Sequence, residues 1–549
     1  MRDTKTKIAY FSAEIGISAM LPTYSGGLGV LAGDHIKAAT DAKIPMCAVT
    51  LLYKEGYFKQ RINDAGRQSE LYPRFDPHPI LKKLPNKITL PLRARNVWIQ
   101  VYEYRWKGQS GNEIPIYFLD TNVNENFPDD QAITMRLYSG DKDHRILQEA
   151  ILGFGGIRIL EELKYTGIET YHMNEGHASF IIMELLRKFK GDSKEVRKRC
   201  HFTTHTPVPA GHDEFAVDRC ERLLDGLLWK DLSDIQSVQN GRLHMTELGL
   251  HFSRSANGVS KLHGKVAQDQ FPKYEIGHIT NGVYHPYWIG KDFRELFDKR
   301  LPGWRKQPER LLNIDAILSE ELMEAHQSHK DFLLSYANAQ TQKALSNEIL
   351  TIGFARRSAG YKRARLIFRD LERLRQIGND KIQIIFAGKA HPADEYGKSL
   401  IYDVVQNANK LFGDVKVIYL ENYNLWLGRL ITSGVDVWLN TPRRPNEASG
   451  TSGMKAALNG ILNLSIMDGW WAEACKHGVN GWGIGDPAVI DDEADANSLY
   501  ELLEKEIIPM FYNHRERWLQ MMLESFITGV EYTAYRMIND YKEKYYKIK

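Results

Sequence analysis

The chain has 549 residues, 43% hydrophobic and 26% charged, an ordinary globular composition at a length that exceeds what one core usually supports. Its 72 Lys and Arg against 69 Asp and Glu leave a formal net charge of +3, which excludes bulk affinity for nucleic acid or a membrane and makes any anion site a local one. The four cysteines, Cys47, Cys200, Cys220 and Cys475, form no CxxC pair. Their scatter argues against a zinc site or a disulfide framework and suits a reducing cytoplasm, and no apolar run is long enough to span a bilayer.

In chain order, KIAYFS at 7–12 reads as a buried first strand, and the loop LPTYSGGLGVLAGD leads to a helix predicted near 35–42. Gly26, Gly27 and Gly29 would let backbone approach a ligand closely. GLGVLA also fits G-x-G-x-x-A, but weakly, because the glycines do not directly follow the strand and no acidic residue closes a second strand at the expected distance. A second buried strand is predicted over 44–53, antiparallel strands over 87–106, and a long amphipathic helix over 141–164. Two strand-to-loop junctions follow, one with Asn174, Glu175 and His177 and one with His205. Polar residues beyond the carboxyl ends of strands are site candidates, although Asn174 and His177 could equally cap a helix beginning near Ala178.

The turn-rich HITNGVYHPYW at 278–288 marks the end of a first domain, so the division expected is 1–290 and 291–549. After a helical region at 308–346, four short apolar runs, each followed by a loop and a helical segment, predict a parallel doubly wound sheet. Each half reads as Rossmann-like, with a cleft between them. The closing helices at 516–546 carry Tyr532, Tyr535, Met537, Ile538 and Tyr541 at helical spacing, a pattern of core packing, and could pack back on the first domain.

Two stretches of the second half bear on anions. ARRSAGYKR places Arg356, Arg357, Lys362 and Arg363 just past a strand, with Gly360 to let the loop turn. Arginine forks and lysine charges grip phosphate, and a cluster without interleaved aromatics favours a small phosphate ligand over nucleic acid. EASGTSGMKAALNG at 447–460 is a Gly/Ser/Thr turn opening a helix that carries Lys455. Unpaired N–H groups of such a turn favour an anion, and Lys455 is either a charge on a phosphate or an amine for an aldehyde. A capped turn with a solvated lysine is the alternative.

SGGLGVLAGD, HMNEGHASF, TTHTPVPAGH, ITNG, GYKR, FAGKAHP, LENY and EASGTSGMK with its LNG occur in one order along nearly the whole chain. Together they resemble the α-glucan phosphorylases of glycogen, starch and maltodextrin. The resemblance implies an α/β protein of the GT-B fold, two Rossmann-like doubly wound domains facing across a cleft. It further implies a pyridoxal 5'-phosphate cofactor and reversible phosphorolysis of terminal α-1,4-linked glucose units to α-D-glucose 1-phosphate with retention.

By the same resemblance Lys455 holds the cofactor as a Schiff base. Thr451, Ser452, Arg356 and Lys362 bind the cofactor's phosphate, with Tyr423 and Trp288 near its ring. Arg357, Lys362 and the N–H of Gly27 hold inorganic phosphate, while Glu447, Ser449, Gly450, Asn281 and His205 bind the glucosyl unit. The partners expected are an α-glucan, inorganic phosphate and further copies of the chain, with no metal, nucleic acid or membrane.

The sequence departs from the larger animal enzymes at several points. It starts almost at the first strand, so the phosphorylated regulatory extension of those enzymes, and its control, are not expected. Arg356 replaces the more usual lysine, Ser452 and Gly453 replace a Gly-Asn pair, and Trp470 and Trp471 could stack on a sugar or pack in the core. Two rivals remain at this level: a nucleotide-sugar glycosyltransferase of the glycogen synthase kind, which needs no aldehyde, and a catalytically silent glucan-binding regulator.

Overall fold

The computed structural model describes residues 3–229 and 237–548. By contacts the chain forms two compact units. The first comprises Met1–Phe58, Tyr72–Thr280 and Met537–Lys549, and the second Lys59–Leu71 and Asn281–Arg536. The short hairpin in the second unit and the closing segment in the first are features that a single division at residue 290 does not describe.

The first unit is built on a nine-stranded sheet in the order Ile276–His278, Ser255–Gly258, Cys200–Thr203, Thr170–Asn174, Ile8–Ser12, Met46–Leu51, Glu113–Asp120, Arg95–Lys107, Lys82–Leu92. All pairs are parallel except the last two, where the alternating segment folds as the expected antiparallel extension. Ile8–Ser12, Met46–Leu51 and Thr170–Asn174 are buried at every residue, as central parallel strands covered on both faces must be. The strand Ile8–Ser12 has its sequence successor Met46–Leu51 on one side and the later Thr170–Asn174 on the other. This is the point where the winding reverses, and loops beyond it are placed to hold a ligand.

The first helix is longer than its composition suggests. It runs over Gly27–Asp41, so GLGVLAGD is helical and not a loop. A Cβ on Gly33 would stand 2.2 Å from the Gly16 carbonyl oxygen, and one on Gly29 would stand 2.7 Å from Glu14 Oε2. These glycines let the helix lie directly on the 14–17 segment, a tertiary demand that looks like loop composition in one dimension. The closing segment docks through polar contacts: Tyr546 bonds His35 at 2.9 Å and His172 at 2.7 Å, all three side chains buried. Met537, Ile538 and Tyr541 are core residues, as their spacing predicts.

The second unit carries a six-stranded, wholly parallel sheet in the order Lys416–Leu420, Ile382–Ala387, Leu350–Ala355, Val437–Asn440, Leu462–Ile466, Gly481–Ile484. In sequence rank this is 3-2-1-4-5-6, the doubly wound order, and it bears out the parallel reading of the four apolar runs. Its switch point lies between Leu350–Ala355 and Val437–Asn440. The cationic loop leaves the carboxyl end of the first of these strands and the Lys455 stretch follows the second. Trp470 and Trp471 are 2% and 1% exposed, with ring centroids 5.1 Å apart and Tyr532 packed on Trp470, so both belong to the core. Cys47, Cys200 and Cys220 are buried, Cys475 is half-buried, and all four are free. Among the described residues no helix is long and apolar enough to cross a membrane.

Candidate active site

In the second unit, Thr451–Ala457 forms a short helix behind Gly450, whose φ of +83° is the left-handed turn that only glycine adopts without strain. Lys455 lies on its buried side, with Nζ 3.9 Å from the centroid of the Trp288 ring. The lysine and the indole are held together by Asn459. Its Nδ2 donates to the carbonyls of Lys455 at 2.8 Å and Trp288 at 3.0 Å, while its Oδ1 accepts the Gly290 N–H at 2.7 Å. Asn459 belongs to the LNG that ends the motif, but nothing in that string announces the tie to residue 288.

The cationic loop converges on the start of the same motif. Arg356 Nη2 and Lys362 Nζ both reach Glu447 Oε2, at 2.5 Å and 2.6 Å. Burial alone would raise the Glu447 pKa, but the Arg356 and Lys362 charges outweigh it and hold the carboxyl down to about 2. Arg356 Nη1 and Ser449 Oγ are buried with no hydrogen-bond partner among the described residues. Buried donors are normally satisfied, so both atoms mark places where a polar ligand atom fits. Tyr423 is half-buried, its phenol pushed up to about 12 by burial with the Arg356 charge acting against it. Arg357 is exposed, and Asn281 is buried with its carbonyl accepting Arg536 at 2.8 Å.

One cation of the cluster is structural. Arg363 donates to the Thr441 and Pro442 carbonyls at 2.9 and 2.8 Å and pairs with Asp492 and Asp495, so its guanidinium ties two loops together and is spent there. Sequence reasoning also missed Asp468. Its Oδ2 accepts the Glu447 N–H at 2.9 Å and its Oδ1 the Gly469 N–H at 2.8 Å. Burial, with the Glu447 charge adding to it, pushes the Asp468 carboxyl up to about 7. Trp470 N–H meets the Ser449 carbonyl at 2.9 Å, so the 468–470 turn buttresses the 447–449 segment.

The first unit has its own cluster at its switch point. Glu14 is 2% exposed; its Oε2 accepts the N–H groups of Ser25 at 2.6 Å and Gly26 at 3.3 Å, and its Oε1 accepts the Tyr138 hydroxyl at 2.8 Å. Gly27 opens the helix next to it, and a Cβ there would meet nothing within 4 Å. His205 donates through Nε2 to Asn174 Oδ1 at 2.7 Å, and its backbone N–H goes to Glu175 Oε2 at 2.7 Å. Burial holds the His205 pKa down to about 3, so the imidazole is neutral at physiological pH. Glu175 has φ +78°. A side chain other than glycine held there costs about 1–3 kcal/mol, a strain that collects at functional sites. His177 turns instead to Asp213 at 3.4 Å and packs on Tyr138.

The family model described as carbohydrate phosphorylase matches residues 212–477. The maltodextrin phosphorylase of Thermococcus litoralis is 40% identical, the match covering 98% of this chain and 70% of the relative. The chain belongs to the carbohydrate phosphorylase family. The glycogen phosphorylase of Mycobacterium tuberculosis is 38% identical across 98% of this chain and 71% of its own length, and that of Aquifex aeolicus 36% across 99% and 86%. The α-glucan phosphorylase resemblance carried by the motifs is thereby borne out. Within this family member, the second unit brings together Lys455, Trp288, Arg356, Lys362, Glu447, Ser449, Gly450, Thr451 and Ser452, and the first unit holds Gly27 and His205.

Proposed function

We propose that this phosphorylase family member cleaves the terminal α-1,4-linked glucose units of an α-glucan with inorganic phosphate, releasing α-D-glucose 1-phosphate with retention. Its two doubly wound units correspond in this reading to the two domains of a GT-B enzyme. The observation that carries the reading is the buried set of Lys455 on Trp288 with Arg356 and Lys362 on Glu447, in a chain 40% identical to a maltodextrin phosphorylase.

The donor set suits pyridoxal 5'-phosphate. Lys455 supplies the amine that holds it, Trp288 and Tyr423 the walls for a flat ring, and Arg356, Lys362, Thr451 and Ser452 the donors for its phosphate; the orphaned Arg356 Nη1 supports the fit. Bound there, the group contributes a phosphate that supports proton transfer to and from the substrate phosphate, in place of the electron-sink chemistry it provides elsewhere.

The chain's own residues do the rest. Arg357 and Lys362 hold inorganic phosphate as an anion able to give its proton to the departing glycosidic oxygen. The C1–O bond to the glucan breaks as that proton is delivered, and C1 then bonds to a phosphate oxygen on the same face. Glu447, Ser449, Gly450 and Asn281 orient the glucosyl hydroxyls. His205, neutral and fixed by Asn174, offers a hydrogen bond and no charge. Lys455 anchors and takes no part in bond making.

Reductive trapping tests the cofactor assignment. After borohydride treatment of protein loaded with pyridoxal phosphate, peptide mapping is expected to find the pyridoxyl group on Lys455. Label on another lysine, or on none, would overturn it.

A further inference from the structure

The hairpin Lys59–Ile62 and Gln68–Leu71 lies in the second unit although the chain on either side of it belongs to the first. It docks through two glutamines that are 1% and 8% exposed. Gln68 clasps both backbone groups of one residue, donating from Nε2 to the Ala390 carbonyl at 3.1 Å and accepting the Ala390 N–H on Oε1 at 3.0 Å. Gln60 holds residue 422, its side-chain Oε1 accepting the Asn422 N–H at 2.9 Å and its backbone N–H donating to Asn422 Oδ1 at 3.3 Å. The two amides join each other, Gln60 Nε2 to Gln68 Oε1 at 2.9 Å. The Gln68 clasp needs a side chain with both a donor and an acceptor, and Gln60 uses both ends of its amide, one on Asn422 and one on Gln68.

The first of the loops held in this way presses on the cationic cluster. Residues 388–390 follow the strand Ile382–Ala387. Ala387 O accepts the Arg356 N–H at 3.1 Å and Lys389 O the Ser358 N–H at 2.9 Å. Gly388, at φ +148°, lies so close that a Cβ would stand 1.9 Å from the Arg356 carbonyl oxygen. Tyr419 closes the gap from the next strand by donating to Gly388 O at 2.8 Å. The second clasp fixes Asn422, immediately before Tyr423. The hairpin thus grips the loops on which Arg356 and Tyr423 rest.

We propose that Gln60 and Gln68 are positioning residues for phosphate recognition, setting through the 388–390 and 421–423 loops where Arg356 and its neighbours on the cationic loop stand. This rests on the phosphorolysis reading above. A displacement of a fraction of an ångström in a phosphate clamp weakens binding of the anion while leaving glucan contacts elsewhere untouched.

The test compares full-length wild type with Gln68→Leu, Gln60→Leu and, as a control, Asp64→Ala at the exposed turn of the hairpin. In either glutamine variant the KM for phosphate is expected to rise about tenfold with the KM for glucan unchanged, and amide exchange over 356–363 and 387–390 to quicken. Asp64→Ala should change none of these. An unchanged phosphate KM in a folded variant, equal rises for both substrates, or unaltered exchange would each overturn the proposal. If Gln68→Leu does not fold, Gln60→Leu, which leaves the Ala390 clasp in place, decides. A wild type that makes no sugar phosphate would sink the phosphorolysis reading instead, and amide exchange would still judge the staple.

Discussion

Arg356 and Glu447, 91 residues apart in the chain, meet at 2.5 Å, and Lys362 meets the same carboxylate oxygen at 2.6 Å. Two buried cations therefore share one carboxylate, an arrangement that leaves the cluster with an excess positive charge and an orphaned guanidinium nitrogen.

Glu447→Gln keeps an acceptor oxygen but removes the charge that balances both cations. Breaking a buried pair from one side costs about 3 kcal/mol, so thermal unfolding in phosphate-free buffer should show a clear loss of stability. Inorganic phosphate, binding only the folded form, should restore more to this variant than it adds to wild type. Equal phosphate shifts in both proteins would contradict the shared-anion account.

Asp468 makes one contribution to the pH response near neutrality, opposite in sign to that of the buried neutral histidines such as His205. Its folded pKa of about 7 lies above the ordinary carboxyl value, so the folded state binds the extra proton. Stability is then unaffected at pH below the unfolded pKa, declines as pH rises through the window up to about 7, and reaches its full loss above that. Glu447 works in the opposite sense: its depressed pKa adds stability above the ordinary carboxyl range, lost only as pH falls toward about 2. Asp468→Asn should remove this downward contribution, so that the slope of stability against pH between about 5 and 8 becomes more positive than in wild type. Urea melts across pH measure it, and a slope equal to wild type would refute the assignment.

Asn459→Ala strips three buried groups of their partner, the carbonyls of Lys455 and Trp288 and the N–H of Gly290. At about 1–3 kcal/mol for a buried group left unsatisfied, the expected loss is large, on the order of 3 kcal/mol in total. Weaker retention of pyridoxal phosphate should accompany it, read by dialysis and fluorescence. Wild-type stability together with wild-type cofactor retention would show that the tie does not set the lysine.

Much of this was legible in the sequence because the signals are local. Four apolar runs with intervening helices predict the parallel sheet, and Lys455, Arg356, Lys362 and Glu447 stand in motifs whose residue types match their chemistry. What stayed hidden depends on partners distant in the chain. Asn459 reaches Trp288 across 171 positions, and Asp468 reaches Glu447 across 21 with no pattern linking them. The glycines of 27–33 look like a loop until Gly16 and Glu14 are packed against them. Arg363 carries the same charge as its neighbours, and only the Thr441 and Pro442 carbonyls reveal that it is structural.

Lys455→Ala removes the anchoring amine but leaves the helix and the Glu447 cluster in place, since alanine is a good helix former and Lys455 takes no part in the ion pairs to Glu447. The variant should fold, fail to retain pyridoxal phosphate on gel filtration, and lose activity. A folded variant that retains the cofactor as wild type does would move the anchor elsewhere.

The most direct measurement is the appearance of glucose 1-phosphate when the wild-type protein is incubated with inorganic phosphate and a panel of α-glucans, with and without pyridoxal phosphate. Formation of α-D-glucose 1-phosphate that requires phosphate, glucan and the cofactor, and that is absent in Lys455→Ala, is the result expected. No sugar phosphate from any glucan with the cofactor bound, or undiminished formation in Lys455→Ala, would contradict the account.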